Sequence, residues 1–146
     1  MGNIRKARPE DAARIAEIEI FNYRLNFYPI FRNDSYYFDE LQVPSLARGY
    51  AAAPESIWVY DDGVVKGFLR WERQEVQKLF VEPVLQGQSI GAALLQHAIT
   101  ENGVSFLWAL EKNVRAIAFY TRHGFHLTKD RSLEDGTYEY LVRMER

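Results

Sequence analysis

The sequence predicts an α/β protein, a mixed sheet of six or seven strands with helices on both faces. Three observations carry this. Its 146 residues suit a single domain spanning 1–146, with room for a real hydrophobic core but not for two. Short β-rich runs joined by tight-turn residues come first along the chain, which calls for hairpins. The later runs are separated by helix-length segments, which calls for crossovers.

The elements follow in order. Ile4 to Ala7 reads as a short strand, and Arg8-Pro9-Glu10-Asp11 opens a helix. Proline suits a first helical turn, and acids there suit the positive end of the helix dipole. Ile15, Ile18 and Phe21 continue it at helical spacing. From Asn22 to Pro54 the pattern is poor, with a second helix expected over Phe38 to Ala52. Ser56–Tyr60 and Val64–Trp71 are strands around an Asp61-Asp62-Gly63 turn, and Glu75–Val81 is a strand ended by Glu82-Pro83. Ile90–Glu101 is helical, with Leu94, Leu95, Ala98 and Ile99 as its apolar stripe. Val104–Leu110 has the length of a strand. Asn113–His123 is a helix with an Asn cap and Gly124 as its stop. Phe125–Thr128 and Tyr138–Met144 are strands joined at Glu134-Asp135-Gly136.

Composition narrows the function. Lys plus Arg total 18 against 20 Asp plus Glu, so no excess of positive charge exists to neutralise a nucleic-acid backbone. Without cysteine there is no disulfide, thiolate metal site or Cys nucleophile. His97, His123 and His126 lack ligand spacing, so no metal is assigned. The opening Met1-Gly2-Asn3-Ile4-Arg5-Lys6 has no apolar run and no membrane-spanning stretch occurs, so a soluble cytoplasmic protein is expected.

The chemistry concentrates between Leu79 and Leu95. Leu79-Phe80-Val81-Glu82-Pro83 runs through Val84-Leu85 into Gln86-Gly87-Gln88-Ser89-Ile90-Gly91-Ala92 and a helix. A strand feeding a small-residue turn at a helix N-terminus offers backbone donors and a positive dipole end to a phosphate or pyrophosphate. Gly87 and Gly91 let the backbone approach a ligand, and Ser89 has the chemistry to cap the helix. The turn alone is equally a loop that merely starts a helix.

These residues resemble motif A of the GNAT N-acetyltransferase superfamily, Arg/Gln-x-x-Gly-x-Gly/Ala. Gln86 and Gly91 match, and Ser89 stands where the family has its first glycine. Asn113-x-x-Ala116-x-x-Phe119-Tyr120-x-x-x-Gly124-Phe125 resembles motif B at every signature position. The element order agrees along the whole chain, and the N-terminal third agrees in order only. The resemblance implies a mostly antiparallel sheet whose fourth and fifth strands splay apart, with acetyl-CoA as cosubstrate in the gap. Leu79 and Val81 would bond the pantetheine arm through their backbones, and a backbone N–H of Phe80 or Val81 would polarise the thioester. Gln86, Gly87, Gln88, Ser89, Ile90, Gly91 and Ala92 would hold the pyrophosphate. Asn113 would approach the coenzyme or simply cap its helix.

Acetyl transfer to an amine needs a neutral nucleophile, stabilisation of an oxyanion and departure of a thiolate. The resemblance makes Tyr120 the acid for the sulfur, against packing beside Phe119. A free phenol titrates near 10, about 1.5 units above a thiol, and so holds a proton to share. Glu75 would be the base, directly or through water, against a solvated carboxylate at a strand end. Strand alternation sets Glu75, Gln77, Leu79 and Val81 on one face. Glu72 is a weaker alternative. Relatives that acetylate protein N-termini carry a base five residues before the motif B asparagine; here that residue is Trp108.

The aromatics crowded between Phe21 and Phe38 fall where the family builds its acceptor site, as an apolar slot or else a lid or homodimer surface. Asp34, Asp39 and Glu40 would suit a cationic amine. The expected activity is transfer to a primary amine of a small molecule or peptide. The alternatives are a non-catalytic acyl-CoA-binding sensor or regulatory module and, more weakly, a nucleotide-binding module. That last one lacks the Lys-Ser/Thr pair of phosphoryl-transfer loops.

Overall fold

A computed structural model describes residues 3–146; Met1 and Gly2, with which the N-terminal reading begins, lie outside it. The chain runs β1 (Ile4–Lys6), α1 (Ala12–Asn22), α2 (Tyr28–Phe31), α3 (Val43–Ala52), β2 (Ile57–Asp61), β3 (Val65–Glu72) and β4 (Glu75–Val81). It continues through α4 (Ile90–Asn102), β5 (Phe106–Leu110), α5 (Val114–Arg122), β6 (His126–Leu133) and β7 (Tyr140–Glu145). The strands make one seven-stranded sheet in the order β1-β2-β3-β4-β5-β7-β6. All neighbours pair antiparallel except β4 and β5.

That parallel seam is short. It is registered only at Glu75↔Phe106 and Val76↔Leu107, after which the strands part. Directly beyond Val76 the β3–β4 ladder slips: Arg70 faces Lys78 while Trp71 faces Val76, leaving Gln77 as an extra residue in β4. Such a bulge bends its strand and strengthens its twist, so the bend falls where the sheet opens. It also inverts the side-chain alternation. Val76, Leu79 and Val81 join the core under α4, whereas Phe80 joins the core under α1 and α3. The expected single face for Glu75, Gln77, Leu79 and Val81 therefore fails: the bulge at Gln77 sets Val76, not Glu75, on the face of Leu79 and Val81.

Two cores flank the sheet. One packs Leu94, Leu95 and Ala98 of α4 on Leu69, Leu107 and Met144, and the other packs Ile15 and Ile18 of α1 on Ile57, Val59 and Phe68. Gly67 admits α4 to the sheet, since a Cβ there would lie 3.2 Å from Ile90 and 3.3 Å from Leu94. Trp58 and Trp71 stack on their paired strands at 5.4 Å.

The sequence expectations shift in three places. Phe21 is 41% exposed, and the neighbouring Ile20, at 3%, is buried in its place. The helix expected from Phe38 begins at Val43; before it, Tyr23–Phe27 and Ser35–Glu40 wind in wide π-type turns, outside a 3.6-residue period. The strand expected to end at Thr128 runs to Leu133, an edge strand whose exposed side chains give no apolar signal.

Candidate active site

The parted strands open a cleft of about 900 Å³. The phase of the β3–β4 ladder decides which backbone groups face it. Glu82 N–H donates to the Lys66 carbonyl at 2.9 Å, which makes Phe68↔Phe80 a hydrogen-bonded pair and turns Leu79 and Val81 outward. The N–H groups of Leu79 and Val81 are thus offered to the gap, and that of Phe80 is used within the sheet. Of the two amides named for the thioester carbonyl, Phe80 falls away. The Val81 carbonyl is already occupied, accepting from the Asn22 and Gln86 side-chain amides at 2.9 and 3.3 Å.

Asn22 is 2% exposed and fully bonded. Its Nδ2 donates to the Ile18 and Val81 carbonyls at 2.8 and 2.9 Å, and its Oδ1 accepts from Gln86 Nε2 at 3.0 Å. One side chain thus clips α1, the end of β4 and the first residue of the glycine turn together. Gln86 reaches inward to this clip, so its side chain positions the turn from behind. Sequence spacing gave no sign of Asn22, 64 residues away from its partner.

Two residues of the turn are left-handed, Gly87 at φ +88° and Ser89 at φ +67°. An added Cβ at Gly87 would meet nothing within 4 Å, so glycine is required there by its φ and not by packing. Ser89 sits at the N-cap of α4 without a side-chain cap bond, because φ +67° turns its hydroxyl from the helix donors; the capping expectation fails. That conformation is one that glycine adopts without strain. A Cβ on Gly91 would face the Phe119 ring at 3.5 Å, so Gly91 serves helix packing as well as the cleft. Gly87, Ser89, Ile90, Gly91 and Ala92 line the cleft, and Gln88 does not.

The opposite wall is α5. Asn113 Oδ1 accepts from Ala116 N–H at 3.3 Å, so the helix-cap role is present, and the residue also lines the cleft. Tyr120 lines it too, half-buried, with ring contacts to Phe119 and Phe125 at 5.3 and 5.8 Å. Burial pushes its phenol well above the ordinary range, so it stays protonated at neutral pH. His123 packs on Phe119 and His97 on Trp58, at 4.6 and 4.4 Å. Among the described residues no three His, Asp or Glu side chains cluster as a metal site.

Glu75 stands apart from this gathering. It pairs with Phe106 at the closed end of the seam and is not among the cleft-lining residues. Burial, and then Glu72, raise its carboxyl above the usual range.

The aromatic segment lines one end of the cleft, through Tyr23, Phe27, Phe31, Tyr36 and Tyr37. Tyr23 touches Phe80 at 5.6 Å and so joins this end to β4. Asp34, Asp39 and Glu40 stay outside, whereas Glu134 and Asp135 of the β6–β7 turn come in. The sequence marked 134–136 as a turn and nothing more. Lys78 also borders the cleft, its Nζ held by both oxygens of Glu19 at 2.9 and 3.1 Å and by the Tyr50 hydroxyl at 3.0 Å. Glu19 is 1% exposed, and it also accepts from the Tyr50 hydroxyl.

Residues 53–127 match the family described as acetyltransferase (GNAT) domain. The peptidyl-lysine N-acetyltransferase YjaB of Salmonella typhimurium is 27% identical over 136 residues, 92% of this chain and 90% of that protein. The solution structure of apo-form YjaB from Escherichia coli superposes with a TM-score of 0.80 at 25% identity, covering 97% of this chain and 95% of that one. The PaiA N-acetyltransferase of Thermoplasma acidophilum, solved with coenzyme A, shares the fold at TM-score 0.69 and 19% identity, over 98% of both chains.

Proposed function

The chain belongs to the acetyltransferase (GNAT) family and is an acetyl-CoA-dependent N-acetyltransferase, and we propose that its acceptor is the side-chain amine of a lysine in a peptide or protein. The observation that carries the reading is the opened β4–β5 seam, with the outward N–H groups of Leu79 and Val81 on one side and Tyr120 on the other. The relatives named peptidyl-lysine N-acetyltransferases support the acceptor class.

The residues fit the coenzyme. Outward amides on β4 suit an extended arm carrying amide groups, as an added strand would. The left-handed turn over Gly87 to Ser89 sets backbone donors at the start of α4, where a pyrophosphate is favoured. Bound there, acetyl-CoA supplies an activated thioester. The chain's own groups then act on it. Val81 or Leu79 N–H polarises the carbonyl from a fixed strand, so no donor has to reorganise during the reaction. Tyr120 gives its proton to the departing sulfur, a role its burial suits because the phenol is kept neutral. For the base, the position of Glu75 at the closed seam favours loss of the amine proton to water in the open cleft over direct contact with that carboxylate. In this reading the whole folded unit works in the cytoplasm.

The test is release of free thiol from acetyl-CoA with a lysine-containing peptide, alongside mass spectrometry of the peptide. Thiol and acetyl-lysine should appear in equal amounts. Transfer to free small amines with no transfer to peptides would refute the acceptor class.

A further inference from the structure

At the β6–β7 end of the cleft two carboxylates, Glu134 and Asp135, have no side-chain partner among the described residues, and Asp135 is exposed. Glu134 begins the β6–β7 turn, is half-buried and lines the cavity. Among the described residues its side chain makes no hydrogen bond and no ion pair, although its backbone is pinned. Glu134 N–H donates to the Glu139 carbonyl at 2.8 Å, and its own carbonyl accepts from Thr137 N–H and hydroxyl at 3.1 and 2.8 Å. The side chain is thus presented from a fixed turn rather than a loose loop.

What it faces is specific. It shares the lining of the cleft with Tyr23, Tyr36 and Tyr37, three phenols of the α1–α3 connection. Tyr23 in turn lies against Phe80 of β4, beside the outward amide of Leu79. The cations of the cleft lie elsewhere or are spent. Arg115 and Arg122 belong to α5, and Lys78 is consumed by Glu19. An aromatic-walled slot with a half-buried free carboxylate at its edge, Glu134, and an exposed one, Asp135, beside it matches a cation on an unbranched alkyl stem, by charge pairing with the head and apolar contact with the methylenes.

We propose that Glu134 is the specificity-determining residue for the acceptor, holding its ammonium group against the Tyr23–Tyr36–Tyr37 wall before transfer. The proposal rests on the lysine-directed reading above, and its test separates the two. In steady-state kinetics with a lysine peptide, Glu134→Gln should raise the KM for the peptide roughly ten- to hundredfold, leave the KM for acetyl-CoA unchanged and alter kcat by less than about threefold. Glu134→Asp should recover part of the loss. The wild-type kcat/KM should fall with added salt, and that of Glu134→Gln should be flatter. A peptide KM unchanged in Glu134→Gln overturns the assignment while leaving the lysine-directed reading intact. Should the wild type transfer nothing to peptides, calorimetric titration of the coenzyme A complex with n-butylamine still decides it: weaker binding to Glu134→Gln supports the assignment, and equal binding overturns it.

Discussion

Ser89 holds φ at +67°, in a region that costs a residue with a Cβ about 1–2 kcal/mol. Glycine removes that cost but loses about 0.5–1 kcal/mol of chain entropy in return. Ser89→Gly should therefore raise stability by up to about 1 kcal/mol in urea unfolding and leave the KM for acetyl-CoA equal or lower. A clear loss of stability would show that the serine hydroxyl does more than the structure assigns it. Tyr120 is read through its proton. Burial raises its pKa, so the acid form persists upward through neutral and mildly alkaline pH, and any loss of function from its ionisation lies above pH ~10. Tyr120→Phe should lower kcat by about 10²–10⁴ with little change in either KM, and the wild-type profile should show no descending limb from the phenol below pH ~10. A limb near pH 8–9 that disappears in the Phe variant would contradict the burial argument. The place of both residues on the cleft was legible in the sequence, because their motifs are local and each position is counted from a turn, whereas the left-handed backbone that keeps Ser89 from capping was not. Glu134 was not, since nothing in a turn signature says which surface it leans over.

At the scale of elements, the clip through Asn22 joins three segments that sequence keeps apart. Gln86→Ala removes only the outer arm of that clip, on a half-buried residue, and should cost under about 1 kcal/mol of stability while raising the KM for acetyl-CoA several-fold. Asn22→Leu fills a similar volume but removes both buried donors and an acceptor, and should cost about 2–4 kcal/mol in the same unfolding experiment. Equal effects of the two on stability would argue that Gln86 carries the clip alone. Gly67 gives a packing test. A methyl there would lie 3.1 Å from the Phe80 carbonyl oxygen as well as against Ile90 and Leu94, and Gly67→Ala should destabilise by about 1–3 kcal/mol. Hairpins, the Asn113 cap and the α4 stripe were readable because each follows a single period or a single turn rule. The bulge at Gln77 and the wide turns of 23–27 and 35–40 were not. A one-residue slip leaves no mark on composition, and a five-residue hydrogen-bond pattern breaks the 3.6 period on which helix reading relies.

Over the whole molecule, a four-stranded meander and a three-stranded unit of β5, β7 and β6 meet along two registered residue pairs. That narrow join is what lets one sheet keep a core on each face and still open at one end. The order of hairpins and crossovers foretold the mixed sheet, and the two motifs foretold which strands would part. The aromatics of the α1–α3 connection were expected at this end of the cleft, but the β6–β7 turn that meets them, about a hundred positions along the chain, was hidden. The central claim is that the coenzyme arm pairs with β4 across the open seam. It is tested most directly by amide NMR of the labelled protein titrated with coenzyme A. The N–H signals of Leu79 and Val81 should shift strongly and exchange more slowly with solvent, while that of Phe80, already bonded within the sheet, stays nearly fixed. Saturating binding that leaves Leu79 and Val81 unmoved, or that moves Phe80 instead, would contradict it.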